Sequence, residues 1–226
     1  MNVVSFGRVL AVSPHMDDAV LSAGAFLSAC SAAVIVTVFA GFPPRYEGLS
    51  EWDADCGFTE GDDVVALRRE EDRRAAEHIG AQARWLDFVD SQYEPEPPAV
   101  AAIAASVRAL VTELGVETLA LPLGINHEDH QRTHEACAML LRDHFGLVDH
   151  WVAWADVPYR ARHPEEVEQR LKSLRANGFS AQPFVVDSDE HKRAAISEYP
   201  TQARGLGAES MIDAERPEQL YLVARQ

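Results

Sequence analysis

The sequence predicts an α/β fold: a Rossmann-like, mostly parallel sheet with helices on both faces. Three observations carry this. Apolar runs of strand length alternate with helix-patterned stretches from residue 8 onward. The runs are those of strands buried on both faces. Polar clusters follow two of them, at the strand ends where such sheets bind ligands. At 226 residues, with no internal repeat, low-complexity tract or linker, the chain suits one domain spanning 1–226.

The elements follow in order. Arg8–Ser13 (RVLAVS) reads as a buried strand, and a small-residue helical pattern covers 18–30. Residues 33–40 (AVIVTVFA) form a second strand, rich in the β-branched side chains that pack well in a sheet. Residues 41–61, with two prolines, four glycines and little periodicity, read as a long surface loop. A charged helix is expected over 62–79, stopped by Gly80. Residues 84–89 (RWLDFV) suggest the third strand, followed by a Pro-rich bend over 94–98. A helix over 99–114 ends at Gly115, and 117–123 (ETLALPL) is the fourth strand. Residues 127–144 read as helix, 150–155 as the fifth strand, and 165–176 and 190–198 as helices around 183–186. A last short strand is expected at 220–224.

The formal charge of −16, from 20 basic and 36 acidic residues, argues against phosphate backbones and anionic lipid as partners, so neither nucleic acid nor membrane docking is expected. No apolar stretch approaches the ~20 residues of a membrane span, and the short run after Arg8 does not make a signal peptide. A cytoplasmic protein is the expectation. Cys30, Cys56 and Cys137 are odd in number and widely spaced, which disfavours both a zinc knuckle and a disulfide framework.

Two polar clusters hold the chemistry. Pro14-His15-Met16-Asp17-Asp18 follows the first strand, and Asn126-His127-Glu128-Asp129-His130 follows the fourth. In the commonest doubly wound order these strands are neighbours and the clusters face each other. Neither carries the glycine-rich turn of a dinucleotide site. His15 and Asp18, with a second imidazole from the other cluster, would make a three-ligand zinc site with a position open for water, the arrangement of catalytic zinc. Asp17 would then stand beside that water as a proton acceptor. The bland alternative makes Asp17 and Asp18 helix N-terminal carboxylates, a common arrangement that needs no metal. Chance, however, gives Pro-His-x-Asp-Asp in roughly one chain of this length in a thousand. His127, His130 and His134 lie at i, i+3 and i+7, and spacing alone does not choose which of them binds. For His134 alone a structural role is the better reading.

Together these clusters resemble the PIG-L (LmbE-like) family of zinc-dependent N-deacetylases, which remove acetyl groups from N-acetylglucosamine-containing compounds. Arg68-Arg69-Glu70-Glu71, Leu86-Asp87-Phe88-Val89-Asp90, and Lys192 with Tyr199-Pro200-Thr201-Gln202 are similar to further family segments. The resemblance implies Zn2+ on His15, Asp18 and His130, with Asp17 as general base. It implies that His127 stabilises the tetrahedral intermediate or protonates the leaving amine, with Asp129 as its orienting partner. Arg68 and Asp90 would bind substrate, although by itself Arg68 reads equally well as half of a solvated helix pair with Glu71. Ala19, Ile125 and Thr201 depart from residues common in the family. Ile125 stands where some members place a carbonyl-polarising tyrosine, so zinc, His127 or a residue from elsewhere must hold the oxyanion.

The expected activity is removal of an N-acetyl group from an N-acetylglucosamine-type amino sugar or glycoconjugate. The alternatives are an amidase acting on a thiol conjugate or other N-acyl small molecule, and a binding module with an idle site. Residues 41–61 and 156–164 are expected to set pocket size. The expected partners are a small-molecule substrate and, as in many compact α/β enzymes, a second copy in a homo-oligomer.

Overall fold

The computed structural model describes residues 5–44, 48–94 and 96–226. Its seven strands form one sheet in the order β3-β2-β1-β4-β5-β7-β6. β1 (Arg8–Ser13), β2 (Ala32–Thr37), β3 (Ala81–Trp85), β4 (Thr118–Pro122) and β5 (His150–Trp154) run parallel. β7 (Glu218–Arg225) pairs antiparallel with both β5 and β6 (Phe179–Val186). Pro183 lies in β6 at the edge, where a missing N–H costs no ladder bond.

Alternation along the strands feeds two cores. Leu10, Val12 and Leu119 face α4 (Val100–Leu114), α5 (Glu128–Asp143) and α7 (Pro164–Ala176). Val9, Ala11 and Ala120 face α1 (Asp18–Ser28), α3 (Val64–His78) and α8 (Glu190–Ile196). The three cysteines are free. Among the described residues no helix is long and apolar enough to cross a membrane.

The structure departs from the sequence reading at several elements. β3 is Ala81–Trp85, not 84–89: it starts directly after Gly80, whose φ of 67° turns the chain, and its partner β2 ends at Thr37 opposite Trp85. Only an isolated Phe39–Asp87 bridge continues the pairing, so β2 also stops short of 40. The expected loop at 41–61 contains α2 (Glu51–Asp55), whose N-cap Ser50 accepts the Asp53 N–H; one and a half turns are too short to leave a periodic signal. Residues 45–47 of that stretch, and residue 95 of the Pro-rich bend, lie outside the described residues. Finally, α6 (Tyr159–Arg162), α9 (Pro200–Leu206) and α10 (Ala208–Ala214) are additional short helices, and β6 extends across the segment around Pro183.

Candidate active site

β1 and β4 are neighbours in parallel register, so the turns after Ser13 and Pro122 open at the same sheet edge. The first turn is pinned by Ser13, whose Oγ donates to the His15 carbonyl (2.6 Å) and accepts the Ala19 N–H (3.0 Å). Asp18 Oδ2 accepts the His15 N–H at 2.8 Å. Asp17 occupies the N-cap position of α1, yet its side chain caps nothing; it is buried and lines a cavity instead. The capping alternative thus fails for Asp17.

The second turn uses two residues at positive φ, Gly124 (75°) and Asn126 (62°). A Cβ at Gly124 would lie 2.5 Å from the Cβ of His134 and 2.9 Å from the His130 carbonyl, so the turn requires glycine. His127 is the N-cap of α5, and its Nδ1 accepts the Asp129 N–H at 3.2 Å. A backbone N–H can only donate, so the proton of a neutral His127 sits on Nε2. His130, one turn further, is fully buried. Its Nδ1 lies 2.8 Å from Asp156 Oδ1, and Asp156 Oδ2 accepts the Gly124 N–H.

His130 Nε2 and His15 Nδ1 then approach Asp18 Oδ2 at 3.2 and 3.3 Å. Donors ~2.1 Å from a tetrahedral zinc would stand about 3.4 Å apart, so the triad has the spacing and chemistry of a zinc site. The charges agree. Burial opposes ionisation of Asp18, but the His130 and His15 rings hold it well below the usual carboxylate range. His130, against its burial, is pushed up to about 9 by Asp18 and Asp156. Burial and then the neighbouring Asp18 push Asp17 up to about 8, and burial lowers His127. Such a cluster calls for a cation.

His15, His127 and Asp129 also converge, but Asp129 Oδ2 is already engaged: it accepts the N–H (3.2 Å) and Oγ–H (2.9 Å) of Ser91 and lies 3.1 Å from His15 Nε2. Asp129, expected to orient His127, therefore sets its carboxylate behind His15 and touches His127 only through its backbone N–H. Each triad histidine consequently has a carboxylate on its far nitrogen, an arrangement that fixes tautomer and ring orientation.

Asp90 lines the cavity with Oδ2 3.8 Å from His15 Nε2. Arg68 is buried rather than solvated: its Nη2 lies 2.9 Å from Asp53 Oδ1, while Glu71 takes the Thr201 N–H and hydroxyl instead. His134 stays outside the site, with Nδ1 3.0 Å from the Pro122 carbonyl. The cavity holds about 260 Å3. Both segments expected to set its size contribute, through Trp52 of α2 and through Pro158 and Tyr159, with Gln202 and Leu206 of α9 completing the rim. The sequence reading missed Asp156 and Ser91. Asp156 was findable by the rule that found the clusters, since it follows a parallel strand; Ser91 left no signal beyond its neighbour Asp90.

The profile of the PIG-L family, described as GlcNAc-PI de-N-acetylase, matches residues 10–141, which include both clusters. The chain belongs to the PIG-L family. It is accordingly a metal-dependent hydrolase of the PIG-L deacetylase type, with a His/Asp triad for zinc and N-deacetylase activity on an amide. Among solved structures, the A40926 pseudoaglycone deacetylase Dbv21 is 25% identical, covering 96% of this chain and 97% of that chain at a TM-score of 0.76. A triple mutant of the teicoplanin-pathway deacetylase (Orf2*T) is 26% identical over 97% of this chain and 98% of that one, also at 0.76. The zinc-inhibited form of teicoplanin deacetylase Orf2, at 24% identity, 97% and 98% coverage and a TM-score of 0.75, shares the fold. No curated protein sequence matches. Residues beyond 141 thus lie outside the family profile of this PIG-L enzyme but inside the structural likeness.

Proposed function

We propose that this PIG-L enzyme removes the N-acetyl group from an N-acetylglucosamine-type amino sugar or glycoconjugate. The observation that carries the reading is Asp17: a buried carboxylate, free of any capping duty, facing the cavity beside the donor triad. Zinc bound by His15, Asp18 and His130 would acidify water and polarise the acyl oxygen. Asp17 takes the proton from the attacking water and passes it to the nitrogen as the C–N bond breaks, giving acetate and a free amine. His127, its proton on Nε2, donates to the oxyanion of the tetrahedral intermediate; its lowered pKa favours this over service as a charged acid. Asp129 and Asp156 hold the His15 and His130 rings. Arg68 and Asp90 meet substrate hydroxyls.

A cavity of about 260 Å3 with Trp52 on its wall suits one acylamino sugar ring. The charge of −16 disfavours a polyanionic substrate. The relatives named as deacetylases of A40926 pseudoaglycone and of the teicoplanin pathway support removal of an N-acyl group. The test is a fluorescent-amine assay of zinc-loaded protein across N-acetylglucosaminides. Asp17→Asn should keep its zinc and lose about 1,000-fold in kcat, whereas His15→Ala should lose zinc as well. Undiminished turnover by Asp17→Asn, or no amine from any glucosaminide with wild type, would sink the reading.

A further inference from the structure

We propose that the Tyr159 hydroxyl donates a hydrogen bond to the acyl oxygen of the bound amide, and to the negative charge that develops there, as the second donor beside His127. The inference rests on the deacetylase reading above.

Tyr159 opens α6 and lines the cavity together with Asp17, Asp18 and His130. Its ring stands edge-on to His130, 5.1 Å between centroids at an interplanar angle of 89°. Several other groups in or near the cavity are committed or mute, and Gln92 donates to Asp90. Arg68 is paired with Asp53, and Ile125 is buried and apolar. Tyr93 and Tyr199 spend their hydroxyls on Asp53 and Asp72. The Tyr159 hydroxyl has no hydrogen-bond partner among the described residues. A half-buried phenol without a partner, beside the buried carboxylates of a cavity, is a donor held for a ligand.

The turn that carries it is fixed, as a preorganised donor requires. Just before Tyr159, Asp156 bridges His130 and the Gly124 N–H, and the Val157 N–H is held by Ser22 Oγ of α1 at 3.0 Å. Just after it, the buried Arg160 guanidinium binds Asp213 Oδ2 (3.1 Å), Asp213 Oδ1 (3.2 Å) and the carbonyls of Asp213 and Pro217. The backbone that carries the phenol is therefore held on both sides.

The test compares wild type with Tyr159→Phe, both zinc-loaded, on N-acetylglucosamine and N-trifluoroacetylglucosamine compounds. The trifluoroacetyl carbon is already electron-poor and needs less help from a donor. On the acetyl substrate kcat should fall about 100-fold with KM changed less than about threefold. On the trifluoroacetyl substrate the loss should shrink below about tenfold. Zinc stoichiometry should be unchanged, and the variant should bind acetate, the acyl product, about tenfold more weakly by calorimetry. Equal kcat values, equal losses on both substrates, unchanged acetate affinity or a zinc deficit in the variant would each overturn the role of Tyr159 while wild type stays active. No turnover by wild type on either substrate would overturn the glucosaminide reading, and this inference with it.

Discussion

His130 and His134 stand four apart on α5, both buried, and end in opposite states. The far nitrogen of His130 meets the Asp156 carboxylate; that of His134 meets only the Pro122 carbonyl. Burial takes the His134 pKa down to about 4 from an ordinary 6.5. The unfolded chain therefore binds this proton first, and the stability present above pH 6.5 is lost as pH falls toward 4. We expect His134→Gln to lose less stability than wild type across that window, by up to about 3 kcal/mol, in urea melts at matched pH. Parallel stability curves for the two proteins would contradict it. The same pair shows what the sequence could tell. Spacing put both histidines on one face, but the choice between them is made by groups from other strands. The placement of Asp17 and Asp18 at one strand-end turn, in contrast, was legible because local residues and one strand end define that turn.

At the scale of elements, α1 is two helical pieces joined at Ala23 (φ −143°, ψ 16°). Glu218 of β7 occupies the break: its carboxylate accepts the N–H groups of Ala25 (2.7 Å) and Phe26 (2.9 Å) and pairs with Lys192 Nζ at 2.8 Å. Gly24 makes room, since a Cβ there would lie 3.1 Å from Lys192 Cγ. Burial pushes Lys192 down and Glu218 up, so each ion keeps its charge only through the other and the helix N–H groups. Glu218→Gln should thus cost about 3–5 kcal/mol by stranding a buried ammonium, and adding Lys192→Met should recover most of it in the same denaturation assay. A single variant as stable as wild type would refute this account. The sequence announced α1 by its small residues but not its break, because the capping carboxylate lies 193 residues from Ala25. β3 was displaced for a related reason: its bounds are set by where β2 stops, not by its own composition.

At the scale of the molecule, the site gathers turns after β1, β3, β4 and β5, and a metal on His15, Asp18 and His130 would tie the β1 and β4 turns together directly. At one hundred times its Kd, zinc adds about 2.7 kcal/mol to folding stability. For a chain of this size that is a rise in Tm of roughly 5–10 °C, which chelation should reverse in calorimetry. A Tm indifferent to both zinc and chelator would mean that the triad does not bind the ion. The parallel order and the facing clusters were legible throughout, since a ligand edge follows from strand direction alone. The antiparallel β6–β7 pair was not, because nothing in its composition marks direction. That pair has a consequence for biosynthesis. The helix that carries Asp18 is seated by a residue of the last strand, so a chain growing on the ribosome has Asp17 and Asp18 long before it has their anchor. Metal capture in this protein is therefore expected to follow late folding rather than to guide its early steps.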